Sequence, residues 1–136
     1  EKMYRAYGNE FTEEISALET GMDRFLDLNR DFIGSENIRK RKTDGINMKL
    51  AYLSFDDKVP AECFGNEAVF SKNKLVGIIT GGAYGHRVGH SIAFAYIEPS
   101  MCSDGEKLTV ETSLGKRKCH VISEAVYDSG NNKLLS

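Results

Sequence analysis

From residue 47 onward the chain is a series of short apolar runs, rich in β-branched and aromatic residues and separated by turn residues. The runs lie at residues 48–55, 67–71, 75–80, 91–97, 108–112 and 117–126. Many short strands with frequent turn signals are typical of a small antiparallel β-barrel. We therefore predict a barrel of about six strands over residues 47–136.

The turns between these runs predict two hairpins. A polar loop at residues 72–74 joins the second run to the third, and Leu114-Gly115 joins the last two. In the final strand Cys119 and Val121 share one face, while His120 lies on the other. The pattern therefore also predicts which side of this strand is buried.

The first 46 residues have a different, helix-like pattern. Apolar residues at helical spacing predict a short helix near residues 14–21 that ends at Gly21. A second helix is predicted over residues 35–43, capped by Ser35 and ended by Gly45. The predicted fold class is therefore α+β, with a short helical or mixed N-terminal segment followed by the barrel.

Composition excludes several classes of protein. The 136 residues carry 18 Lys and Arg against 20 Asp and Glu, so net charge does not favour nucleic-acid binding. No apolar run approaches the roughly 18 residues that a membrane helix needs, and no leader peptide is apparent. The three cysteines form no CxxC pair, so we expect free thiols and a cytoplasmic location.

The generic catalytic and ligand-binding motifs are absent from the sequence. The glycine-rich residues 81–90 fit no phosphate-binding loop, and we predict a bulged or tightly turned connection there. Within it, Tyr84 is either a stacking platform or a cover for the barrel end. His86 and His90 would lie about 13 Å apart in an extended segment, too far to share a metal ion. We assign neither a catalytic residue nor a metal site.

One carboxylate has an unusual position. Glu19 lies between Leu18 and Met22 in an apolar frame, where burial is costly unless the group is hydrogen-bonded. A ligand with two adjacent N–H donors, such as an aminopyrimidine ring, would suit it. A structural alternative is equally open, in which backbone amides or an arginine such as Arg5 bind the carboxylate.

The sequence resembles a known family in several ordered motifs: EKMYRAYGNE at 1–10, ALETG at 17–21, DFIG at 31–34, VGIITGGAY at 76–84 and SIAFAYI at 91–97. These are similar to the C-terminal portion of the glycine cleavage T protein (aminomethyltransferase) family. Within that family, residues 65–67 and 84–89 look closer to the dimethylglycine and sarcosine dehydrogenase branch. The resemblance identifies residues 1–46 as a remnant of the folate-binding domain and residues 47–136 as the C-terminal barrel domain.

The resemblance implies a tetrahydrofolate site and transfer of a one-carbon unit from an amine to that cofactor. Glu19 matches the glutamate that binds the pterin, Tyr7 and Tyr84 match aromatic residues of the cavity, and Lys133 matches a position that reaches folate in some members. The family's catalytic aspartate would lie in a missing N-terminal half. That half is an expected partner, and an exposed docking face for it would also favour homo-oligomers.

One departure from the family supports an alternative function. Members usually carry an arginine just before the first barrel strand, and here that position is Met48, which donates no hydrogen bond. The alternative is a non-catalytic interaction domain that keeps the barrel and has lost folate.

Overall fold

A computed structural model of the protein describes residues 1–60 and 63–135 and contains a closed barrel of six antiparallel strands. Their order around the barrel is β1-β4-β3-β2-β5-β6. The strands are β1 (Lys49–Phe55), β2 (Ala68–Ser71), β3 (Lys74–Gly85), β4 (His90–Ile97), β5 (Lys107–Thr112) and β6 (Gly115–Ile122). The predicted barrel, its six strands and both hairpins are confirmed.

Apolar side chains that point inward from the strands fill the barrel. The inward residues include Leu53, Val69, Ile79, Ile97 and Val110, all at most 1% exposed. On β6, Cys119 and Val121 are buried and His120 is not, as the alternation predicts. The core therefore lies inside the barrel and receives residues from all six strands.

The glycine-rich segment is more regular than its composition suggests. Strand β3 continues to Gly85, with an irregularity in its pairing to β4 between Ile79 and Gly81. The predicted bulge is present, but the turned connection comes later, at residues 86–89. The strand continues because residues 81–85 pair with residues 90–94 of β4 across a hairpin.

Helix α1 (Ser35–Asp44) confirms the second predicted helix, and it ends at Gly45 with a φ of 88°. Its cap was predicted wrongly. Gly34 occupies the N-cap position with a left-handed φ of 86°, and Ser35 lies inside the helix, where it is buried. The side chain of Ser35 therefore makes no capping bond.

The helix predicted at residues 14–21 is wrong. That stretch forms turns, and a 3-10 helix follows at Asp23–Phe25. The Glu19 carboxylate accepts hydrogen bonds from the backbone N–H and hydroxyl of Ser16, as at a helix start, but the turn that follows extends only over residues 17–21. Gly21 then adopts a φ of 68°.

The N-terminal segment is attached to the barrel through a buried carboxylate. Glu10 is 4% exposed, and its Oε1 accepts the hydroxyl of Thr80 on β3 at 2.7 Å. Tyr96 on β4 donates its hydroxyl to the Glu10 carbonyl at 2.7 Å. Burial, supported by the nearby Glu19 and Glu10 carboxylates, raises the pKa of Tyr96 to about 12, so the hydroxyl remains a donor.

The two ends of the chain are in contact, because Lys2 binds the loop before α2 (Asn132–Leu135). Its ammonium donates to the carbonyl and carboxylate of Asp128 and to the side chain of Asn131, at 2.6–2.9 Å.

Over the described ranges, no helix is both long and apolar enough to cross a membrane. The division of the chain at residue 46 stays a prediction.

Candidate functional site

Glu19 lies at the centre of the candidate site, on the turns that precede the barrel. The N–H of Leu50, in β1, donates to the Glu19 carbonyl at 2.7 Å and so fixes this turn against the first strand. The carboxylate Oε2 accepts the N–H and hydroxyl of Ser16, both at 2.7 Å. Backbone and carboxylate of the same residue are thus both anchored.

A third donor reaches the same oxygen from α1. Nη1 of Arg41 lies 2.7 Å from Oε2, with the arginine side chain 47% exposed and that of Glu19 19% exposed. The sequence suggested Arg5 as a structural partner of Glu19, but the structure assigns that role to Arg41 and Ser16. From the sequence, the basic run that contains Arg41 is interpreted as a solvated helix end. Arg41 and Glu19 are 22 residues apart, so no local pattern predicts that they pair.

Glu19 lines a cleft of about 560 Å³, which is within the usual range for small-molecule sites. Lys40 and Arg41 of α1 contribute basic groups, and Glu14 contributes a second carboxylate. Oε1 of Glu19 accepts no hydrogen bond within residues 1–60 and 63–135. Oε1 is therefore available as an acceptor, while Oε2 of the same carboxylate is held in place. This arrangement fits a ligand with adjacent N–H donors.

The other residues predicted for the site lie apart from this cleft. Tyr7 is 77% exposed and forms an isolated β-bridge with Phe11, and Tyr84 on β3 packs edge-on against His86 with ring centroids 5.2 Å apart. Lys133 is in α2, with its ammonium 5.2 Å from the ring of Tyr127. None of the three lines the cleft at Glu19 in the described part of the chain. Their contact with folate stays a prediction.

Metal and thiol chemistry have little support in the described residues. No group of three His, Cys, Asp or Glu side chains there is placed to hold a metal ion. All three cysteines are free, and burial raises the pKa of Cys63 to about 11 and that of Cys119 to about 12. These two thiols are therefore protonated at neutral pH and are poor nucleophiles.

The barrel and its N-terminal turns define a class of protein. Residues 49–128 match the sequence profile of the glycine cleavage T-protein C-terminal barrel domain. Because this match covers more than half of the chain, the protein belongs to that family. The resemblance seen in the sequence motifs is thereby confirmed.

The chain is similar in sequence to two kinds of protein, dimethylglycine dehydrogenases and aminomethyltransferases. Mitochondrial dimethylglycine dehydrogenase of Mus musculus is 38% identical over 119 residues, which are 85% of this chain and 13% of the relative. The probable aminomethyltransferase of Thermococcus kodakarensis is 28% identical over 135 residues, which are 92% of this chain and 33% of the relative. The chain thus spans a third or less of the relatives' length.

A solved structure shares the fold. The glycine cleavage system aminomethyltransferase T from Bartonella henselae superposes with a TM-score of 0.80 and 16% sequence identity, over 90% of this chain and 35% of that one. The superposition also includes residues outside the barrel domain, because residues 49–128 make up less than 90% of the chain.

Proposed function

We propose that this chain supplies the pterin-binding carboxylate of a tetrahydrofolate site in an aminomethyltransferase-type protein. The observation that carries the proposal is the state of Glu19, which lines a cleft of about 560 Å³ and has one carboxylate oxygen without a hydrogen bond in the described ranges. Two adjacent N–H groups of an aminopyrimidine ring would bind such a carboxylate side by side. Family membership supports the same ligand.

In this proposal the chain positions the cofactor, and the acid–base chemistry belongs to residues outside it. Transfer of a one-carbon unit from an amine to tetrahydrofolate requires the acceptor to be held in a fixed orientation. Glu19 provides that orientation, with Tyr7, Tyr84 and Lys133 as proposed further contacts. These three would reach the ligand in a cavity completed by the rest of a longer protein. We also propose that the protein acts in the cytoplasm, where its three thiols remain reduced.

A second candidate function is an interaction domain that has lost folate. Met48 favours it, because a thioether directly before β1 cannot donate a hydrogen bond to a ligand. The Arg41–Glu19 ion pair also favours it, because this pair satisfies part of the carboxylate without any ligand.

Calorimetric titration of tetrahydrofolate into the purified chain separates the two functions. We expect saturable binding that is weakened about tenfold or more in Glu19→Gln, because a hydrogen bond to a charged group contributes about 1.5–3 kcal/mol. Glu14→Gln is the matched control, since Glu14 lines the same cleft and we expect its loss to matter little. Equal binding by Glu19→Gln contradicts the proposal. If the folded chain alone does not bind, the titration is repeated with the missing N-terminal half restored, and no binding there favours the interaction domain.

A further inference from the structure

A second cleft lies on another part of the surface. It has a volume of about 820 Å³ and is formed by residues 2–5, 21–25 and 123–131. No residue lines both this cleft and the cleft at Glu19. The residues that line this cleft therefore need an explanation that does not depend on folate.

Arg5 enters this cleft with an unsatisfied donor. Its Nε is buried and has no hydrogen-bond partner, and the guanidinium makes no ion pair with any described residue. The guanidinium lies 6.0 Å from the centroid of the Phe94 ring, and the Glu10 carboxylate acts on its charge without forming an ion pair. A buried donor on a charged group is costly to leave unpaired, so this position favours an acceptor from outside the chain.

Arg24 adds a second cation to the same cleft. It lies over the ring of Phe25 at 4.7 Å and forms no ion pair or hydrogen bond within the described ranges. Lys2 differs, because its ammonium is already satisfied by Asp128 and Asn131. The two guanidinium groups are therefore the cations left for a ligand.

The electrostatics of the cleft point the same way. Burial lowers the pKa of Arg5 and the positive charge of Arg24 lowers it further, while Tyr96 and the Glu10 carboxylate partly oppose both effects. An anion between the two groups would offset the repulsion between their positive charges. The cleft also contains the carboxylates of Asp128 and Glu124, so its excess of positive charge is small and suits a ligand with a single negative charge.

Apolar side chains lie beside the two arginines. Met3, Tyr4, Met22 and Phe25 line the cleft, and Tyr4 and Phe25 are 71% and 69% exposed. A free inorganic anion would leave this surface in water. A ligand with an apolar or aromatic body would cover it.

We propose that this cleft binds an organic carboxylate, whose charged group lies between Arg5 and Arg24 and whose apolar body packs on Met22 and Phe25. A planar carboxylate can accept two parallel N–H bonds from one guanidinium, and Arg5 lines this cleft without an ion pair in the described ranges. This site is distinct from the one proposed at Glu19 and does not require it.

Benzoate is the probe, and NMR spectroscopy of the ¹⁵N-labelled chain is the readout. We expect saturable shifts of the Nε–H signal of Arg5, with affinity at least tenfold lower in Arg5→Gln and in Arg24→Gln. Arg30→Gln is the matched control, because Arg30 lies in the same N-terminal segment but outside this cleft. Benzamide, which has the same ring and no charge, should not bind.

Several results would overturn the proposal. These are the absence of a saturable shift, equal affinity for benzamide, binding of inorganic phosphate in preference to benzoate, and unchanged benzoate binding in Arg24→Gln. Arg24 is exposed, so its variant remains informative even where Arg5→Gln fails to fold. Benzoate binding should also be unchanged in Glu19→Gln, which separates this site from the proposed folate site.

Discussion

Nη1 of Arg41 and the hydroxyl and N–H of Ser16 all lie 2.7 Å from one atom, Oε2 of Glu19. A carboxylate has about four lone-pair positions over its two oxygens, so three donors already crowd this one. A ligand that binds side by side needs both oxygens and must displace a donor. Arg41 is the donor to displace, because Ser16 is local to the turn whereas Arg41 reaches from α1 and is half exposed.

Replacement of Arg41 should therefore strengthen ligand binding. We expect Arg41→Ala to raise the affinity for tetrahydrofolate by up to about fivefold, because a half-exposed ion pair contributes about 0.2–1 kcal/mol to the ligand-free state. Calorimetric titration beside the unmodified chain measures the change. Lys40→Ala is the control, since Lys40 lines the same cleft and forms no hydrogen bond or ion pair with Glu19. A loss of affinity in Arg41→Ala would mean that Arg41 positions Glu19 for the ligand.

Two glycines of β3 should respond differently to the same substitution. A Cβ at Gly77 would lie 2.1 Å from the carbonyl oxygen of Tyr96 and 2.8 Å from Cα of Ile97, both backbone atoms of β4. A Cβ at Gly81 would meet only the side chain of Asn9, at 3.8 Å. We expect Gly77→Ala to lower the free energy of unfolding by about 3 kcal/mol or more, because β4 must move.

Urea denaturation followed by circular dichroism tests this pair. Gly81→Ala should stay within about 0.5 kcal/mol of the unmodified chain. If both variants lose similar stability, the close approach of β3 and β4 at Gly77 is not the cause.

How far the sequence predicts the structure depends on whether the signal is local. The strands were predictable because short apolar runs bounded by turn residues are local signals. The alternation at Cys119 and His120 also predicts the buried face of β6, whereas β1 is buried along almost its whole length. The turns at residues 14–21 were not predictable, because Ser16 and Glu19 make the hydrogen bond typical of a helix start, but the turn that follows ends at Gly21, where the backbone has a φ of 68°. In the candidate site, the risk of burial at Glu19 was visible, whereas its pairing with Arg41 depends on where the chain places α1.

The buried carboxylate of Glu10 should contribute strongly to stability. It accepts the N–H of Ala6 at 2.8 Å and the hydroxyl of Thr80 at 2.7 Å. We expect Glu10→Ala to lower the free energy of unfolding by about 2–4 kcal/mol, because two donors lose their acceptor in a buried place. Urea denaturation measures this change.

Thr80→Val removes one of these two bonds and should cost about 1–2 kcal/mol. Glu13→Ala, at an exposed position of the same segment, is the control and should change stability by less than about 0.5 kcal/mol. Equal losses in the Glu10 and Glu13 variants would show that Glu10 does not attach the segment to the barrel.

The buried thiol of Cys119 should make the protein less stable at alkaline pH. Burial raises the pKa of Cys119 from 9.0 to about 12, with Asp56 and Cys63 adding to the effect. The folded state thus holds this proton more tightly than the unfolded state. Its contribution to stability is complete below about pH 9 and is lost as the pH rises towards 12. In urea denaturation between pH 8 and pH 11, stability should fall less steeply for Cys119→Ala than for the unmodified chain. Equal slopes would mean that this thiol does not couple folding to pH.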